Sequence, residues 1–104
     1  MPYERRSAAA CAIHPGEILK QEFLKPLKLS GYKLSKAIQV NPQRVSDILL
    51  RKTGISAEMA VRLAIFFQMT PEFWMNLEAA WELAEAKKQL RSKISKIKPL
   101  ATVA

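Results

Sequence analysis

Three X-Pro pairs, His14-Pro15, Asn41-Pro42 and Thr70-Pro71, punctuate this chain of 104 residues. Each opens an apolar run at helical spacing. Proline suits the first helical turn, where its missing N–H would have no partner in any case. Ser30 and Ser56 add two further starts, because a serine hydroxyl accepts from an orphan backbone N–H. Glycine is scarce, with three in the chain, and no two runs alternate as paired strands would. The expected class is therefore all-α, in one domain with one modest core.

Ile18, Leu19, Phe23 and Leu24 form the inner side of the first helix, which Pro26 is expected to end. From Leu29 to Lys52 the chain reads as two short helices joined by a tight turn. Leu34, Ala37 and Ile38 make a stripe on the first; the chain breaks at Gln39-Val40 and restarts at Asn41, a cap. On the second, Val45, Ile48 and Leu49 fall on one face. Gln43, Ser46, Asp47 and Leu50 point away, with Arg44 and Arg51 on the flank. An apolar inner face with a polar, cationic outer face is what a recognition helix in a major groove requires. Any small helical domain holds two such amphipathic helices, so charge must supply the rest. Residues 14–52 carry eight lysines and arginines against three acids, net +5; residues 53–85 are net −4; residues 86–104 are net +6. The basic block coincides with the helix-turn-helix candidate, where phosphates need neutralising.

The total of +8 points to a polyanionic partner, nucleic acid before membrane. No apolar run is long enough to span a bilayer. Residues 1–12 read as a disordered leader, too Ala-rich for a secretory segment, and the expected location is cytoplasmic. Cys11 stands alone and reads as a reduced, incidental thiol. His14 is the only histidine and reads as a cap or surface residue. No metal site, cofactor or catalytic set is expected, since no cluster of ligands or paired carboxylates is apparent.

After Lys52, Met59, Ala60, Leu63, Ala64 and Phe67 line the core side of the next helix. The last, from Pro71 to about Leu90, carries two stripes. Phe73, Trp74, Leu77, Trp81 and Ala84 form one; Met75, Ala79, Leu83, Ala86 and Leu90 form another, roughly opposite. One core needs only one stripe, so the second is expected to meet a subunit or partner. Residues 13–90 are thus the domain, and 91–104 a basic flexible tail.

HPGEILKQEFL, YKLSKAIQVNPQRVSDIL and GISAEMAVRLAIFFQMTPEFWMNLEAAWELAEA, in that order, resemble the HigA family of antitoxins over about residues 13 to 86. These are Xre-type helix-turn-helix proteins, also known as addiction-module antidotes or virulence-associated protein I. The resemblance implies a five-helix, lambda-repressor-like fold, a homodimer on an inverted-repeat operator of double-stranded DNA, and repression of its own operon. It also implies neutralisation of a RelE-like ribonuclease toxin, with no catalysis by the antitoxin.

Asn41 to Asp47 matches the start of the family's recognition helix. Gln43 and Arg44 are the first candidates for base edges, glutamine suiting adenine and arginine guanine; Ser46 and Asn41 join them. Asp47 either accepts from a cytosine amino group or pairs with Arg51 at i,i+4, the reading preferred here. Tyr32, Lys33, Lys36, Arg51 and Lys52 are candidate phosphate contacts. Two departures stand out: Gln39 replaces a turn glycine, and Leu50-Arg51 replaces Asn-Gly, at a cost on the order of 1 kcal/mol. Two other readings stay open: a stand-alone Xre-type regulator without a toxin, and an enzyme or RNA-binding module.

Overall fold

Helix α1 runs from Pro15 to Leu27 in the computed structural model, which describes residues 12–101. It is α-helical over Pro15–Ile18, π-helical over Leu19–Leu24, and α-helical again over Lys25–Leu27. Pro26 was expected to end it and instead lies inside it. A proline ring collides with the carbonyl four residues back in a regular α-helix. Here the preceding turn is widened, with the Lys25 N–H donating to the Lys20 carbonyl, and that shift makes room for the ring.

Four more helices follow: α2 (Gly31–Ala37), α3 (Pro42–Leu49), α4 (Ala57–Phe67) and α5 (Pro71–Gln89). Their caps are those the sequence offers. Ser30 accepts from the Lys33 N–H at 3.1 Å, Asn41 from Gln43 at 2.8 Å and Ser56 from Met59 at 3.2 Å. Thr70, which precedes Pro71, makes no side-chain cap bond, leaving Pro71 and the acid Glu72 to mark the start of α5. Beyond Leu90 a single turn, α6 (Arg91–Ile94), continues the chain. There is no strand among the described residues. The leader expected over residues 1–12 lies outside the described residues apart from Ala12, and so does Cys11; of the tail, residues 91–101 are exposed.

One core joins all five long helices, through Leu19 and Leu24 of α1, Leu34 and Ile38 of α2, Val45 and Ile48 of α3, Met59 and Leu63 of α4, and Trp74 and Leu77 of α5. Phe23 is half-buried at its edge, its ring 4.8 Å from Phe67 and 5.0 Å from Trp74. Ala37, expected in the α2 stripe, is exposed. Ser35 is buried in its stead, with its hydroxyl donating to the Tyr32 carbonyl at 2.6 Å, so the core accepts a satisfied polar group there. Gly16 sets the crossing of α1 over α3: a Cβ there would stand 2.0 Å from the Ile48 carbonyl oxygen.

Lys28, Gln39, Arg51 and Gln68 hold left-handed backbone, with φ of 52°, 61°, 62° and 55°. Each follows the end of a helix, a position glycine favours because it has no Cβ to clash. The substitutions at Gln39 and Arg51 therefore leave the left-handed turns intact and place their cost in the backbone. Gln39→Gly should stabilise the fold by about 0.5–1 kcal/mol. Urea unfolding checks it: the midpoint should rise with the slope unchanged, and a fall would show that the side chain contributes more than its backbone strain costs.

Candidate nucleic-acid interface

Helix α3 is fixed to the scaffold by its inner residues, Val45 and Ile48, both buried. That leaves Gln43, Arg44 and Leu50 exposed on the outer side, with Ser46 and Asp47 half-buried between them. Asn41 spends its side-chain oxygen on the Gln43 N–H, so only its amide NH2 is available to a base or phosphate. Gln43 and Asp47 meet one turn apart, the Gln43 amide donating to the Asp47 carboxylate at 2.8 Å. This replaces the expected pairing of Asp47 with Arg51. The reason is backbone geometry: α3 ends at Leu49, and Arg51 is already in the left-handed turn, off the helical i,i+4 line.

Arg44 is held from the side by an ion-pair chain that local spacing did not reveal. Its guanidinium lies 3.7 Å from Glu58 on α4. The other oxygen of Glu58 accepts from Arg62 at 3.1 Å, and Arg62 reaches the Ile38 and Gln39 carbonyls at 2.7 and 3.3 Å. Arg62 thus ties α4 to the carbonyl end of α2, where a cation is favoured. The turn between α2 and α3 is clamped from both sides. All these groups are partly exposed, so the individual pairs are worth little and the geometry they impose is what matters.

The expected phosphate contacts are on the surface. Tyr32, Lys33 and Lys36 lie along α2, the Lys36 ammonium 5.2 Å from the Tyr32 ring centroid, and Arg51 and Lys52 follow α3. The structure adds three cations that the sequence had only as part of a basic block. Lys20, Lys25 and Lys28 rim a groove of about 440 Å³ floored by Leu24, Leu29 and Leu49, beside the exposed Leu50. They bring positive charge from α1 to the end of α3.

Behind α3, the loop from Thr53 to Ile55 is held by a carboxylate that periodicity could not find. Glu78 of α5 is 7% exposed and accepts from the Ile55 N–H at 2.7 Å. Its pKa is pushed up from 4.5 to about 6, first by burial and then by Glu82, against the pull of the Ile55 amide. His14 shares this cleft with Glu78 and Trp81. Its Nδ1 accepts from the Gly16 N–H at 2.9 Å, capping α1, and its ring meets Trp81 edge-on at 5.1 Å. Burial lowers the His14 pKa, and Arg51 adds to the effect.

These two shifts oppose each other in stability. Folded Glu78 binds its proton more tightly than the unfolded chain does, so its contribution is full below about pH 4.5 and is lost as pH rises through about 6. That of His14 is present above 6.5 and is lost as pH falls through its lowered pKa. Glu78→Gln keeps an oxygen for the Ile55 N–H while removing the buried charge. It should stabilise the fold by about 1 kcal/mol at pH 7.5 and change little at pH 4.5. Urea unfolding at the two pH values checks this; a loss at pH 7.5 would mean that the charged hydrogen bond outweighs burial.

The outer stripe of α5 divides. Met75 packs against the core, whereas Ala79, Leu83, Ala86 and Leu90 are exposed, Ala86 at the border of the His14 cleft. No group of metal-ligating side chains occurs among the described residues, nor any helix long and apolar enough to cross a membrane.

Known proteins share this arrangement. Residues 20–74 match the family described as Helix-turn-helix. Virulence-associated protein I of Dichelobacter nodosus is 43% identical over 91 residues, covering 88% of this chain and 83% of that protein. Antitoxin HigA-1 of Vibrio cholerae is 34% identical over 85 residues, covering 82% of this chain and 80% of that protein. The solved structure of Pseudomonas aeruginosa antitoxin HigA with the higBA promoter is similar at a TM-score of 0.83 and 42% identity, covering 86% of this chain and 99% of that one. An α3 with a buried apolar side and an outward Gln/Arg side, on a scaffold shared along most of the chain with these proteins, is an Xre-type helix-turn-helix, and the chain belongs to the HigA family of antitoxins, which are DNA-binding proteins and not enzymes.

Proposed function

We propose that this protein is the antitoxin of a type II toxin–antitoxin module and the repressor of its own operon. It binds an inverted-repeat operator as a homodimer, with α3 of each copy in the major groove. The observation that carries the DNA-reading part is the outward Gln43 and Arg44 at the first turn of α3, on a helix whose opposite side is locked into the core. The N-terminal residues of a recognition helix are those that reach base edges. Gln43, Arg44, Ser46 and Asn41 read bases; Tyr32, Lys33, Lys36, Arg51 and Lys52 hold phosphates, joined by Lys20, Lys25 and Lys28. That a similar Pseudomonas aeruginosa antitoxin was solved with its promoter supports the same mode here.

The toxin is a RelE-like ribonuclease, and the exposed part of the α5 stripe, above all Leu83 and Leu90, is its docking face. The site of action is the cytoplasm, where both operon and messenger RNA are. Expression of the short reading frame beside this gene, with and without this protein, tests the antitoxin role. Arrest by the neighbour and rescue by a stable complex support it; a harmless or missing neighbour leaves a stand-alone regulator.

A further inference from the structure

The outer side of α3 ends on a residue of a different chemistry from its neighbours. Leu50 is 60% exposed. Its N–H still donates to the Ser46 carbonyl at 2.9 Å, which keeps it on the helical line. Gln43, Asp47 and Leu50 therefore share one face, at i, i+4 and i+7. An exposed leucine by itself is ordinary on a small domain, and the surroundings are what matter here. The groove floored by Leu24, Leu29 and Leu49 opens beside it, rimmed by Lys20, Lys25 and Lys28, and Arg51 and Lys52 follow it in the chain. None of these cations makes an ion pair among the described residues. Leu50 thus stands within a surface that is free to take phosphates, and has no group of its own to give to one.

We infer that Leu50 reads the C5-methyl group of a thymine in the major groove, at a base pair beyond those that Gln43 and Arg44 reach. The inference rests on the proposed placing of α3 in that groove. It deepens that reading by naming a further specificity-determining residue and the base it selects. The thymine methyl is the apolar mark among the base edges of the major groove, and a leucine has no hydrogen bond to offer the others. An α-helix rises 1.5 Å per residue, so Leu50 stands about 10 Å along the axis from Gln43, or about three base-pair steps of 3.4 Å. The cations around Leu50 hold this end of α3 to the backbone as well, so the helix lies along the groove instead of entering it by its first turn alone. Contact with the methyl also takes out of water an apolar side chain that the free protein leaves exposed.

The test is a uracil scan. Each thymine of a duplex from the protein's own promoter is replaced in turn by uracil, which removes the methyl and keeps every hydrogen-bonding group. Gel shift then compares wild type with Leu50→Ala, Leu50→Met and Arg44→Ala. Wild type should lose about fourfold at one thymine in each half-site, the worth of one buried methyl. Leu50→Ala should bind the thymine and uracil duplexes alike at that position, while Leu50→Met and Arg44→Ala keep the difference. Circular dichroism checks each fold; should Leu50→Ala unfold, Leu50→Gln, which keeps the length of the side chain without its apolar end, takes its place. A wild type indifferent to uracil at every thymine overturns the inference, as does a uracil effect that Leu50→Ala retains in full. A wild type with no preference for its promoter over a shuffled duplex removes the groove reading and the inference together. Promoter preference without a Leu50-dependent thymine removes the inference alone.

Discussion

Gly16→Ala should lower the stability of the fold by about 3 kcal/mol, at the upper end of overpacking penalties. The added Cβ would stand 2.0 Å from the Ile48 carbonyl oxygen and 2.9 Å from its carbon. Both atoms are backbone, so no rotamer change can relieve the clash. Either α1 lifts from α3 or α3 shifts outward, and both loosen the core contacts of Ile18, Leu19 and Val45. For a domain of this size each kcal/mol corresponds to roughly 4–8 °C, so the melting temperature should fall by more than about 10 °C. DNA binding should fall too, because the atoms displaced belong to the last turn of α3. Thermal unfolding followed by circular dichroism checks the first part. A melting temperature within a few degrees of wild type would mean that α1 and α3 do not cross so closely.

Arg44→Ala should weaken binding to the operator by about 1–3 kcal/mol and relax the preference at one base pair, with little effect on the fold. Arg44 is exposed at the start of α3, and its ion pair with Glu58 is long and solvated, so stability should change little. An arginine guanidinium is able to give two parallel hydrogen bonds to a guanine edge, which alanine cannot copy, and that is the contact proposed for Arg44. Binding to a set of single-base operator variants separates the roles. Losses concentrated at one position mark a base reader; equal losses on operator and random DNA would mark a phosphate contact.

Local chemistry was legible in the sequence, and long-range chemistry was not. The Ser30, Asn41 and Ser56 caps and the inner positions of Val45 and Ile48 follow from side chains acting within one or two turns, which spacing encodes. Glu78 bonds a backbone 23 residues away, and Arg62 one 24 residues away. Nothing in the periodicity of α4 or α5 marks either partner. Pro26 failed as a stop signal because a wide turn upstream can absorb its ring. Asp47 and Arg51 have helical spacing in sequence, but the helix ends between them. The exposure of Val61, Ile65 and Phe66 on α4 was hidden for a related reason: they extend a run that reads as core, and only packing shows which side the core takes. Charge, being summed over blocks, located the basic end without saying that Lys20, Lys25 and Lys28 would meet α3 there.

The most direct measurement is the affinity of the wild-type protein for a duplex from its own promoter and for the same duplex with its sequence shuffled, at one salt concentration. A recognition helix that reads bases predicts a preference of at least about 1,000-fold for the promoter. Both affinities should fall with salt, since the phosphate contacts are common to the two. Equal affinities with equal salt dependence would contradict the account: α3 would then touch only the backbone, and the outward Gln43 and Arg44 would have no sequence to read.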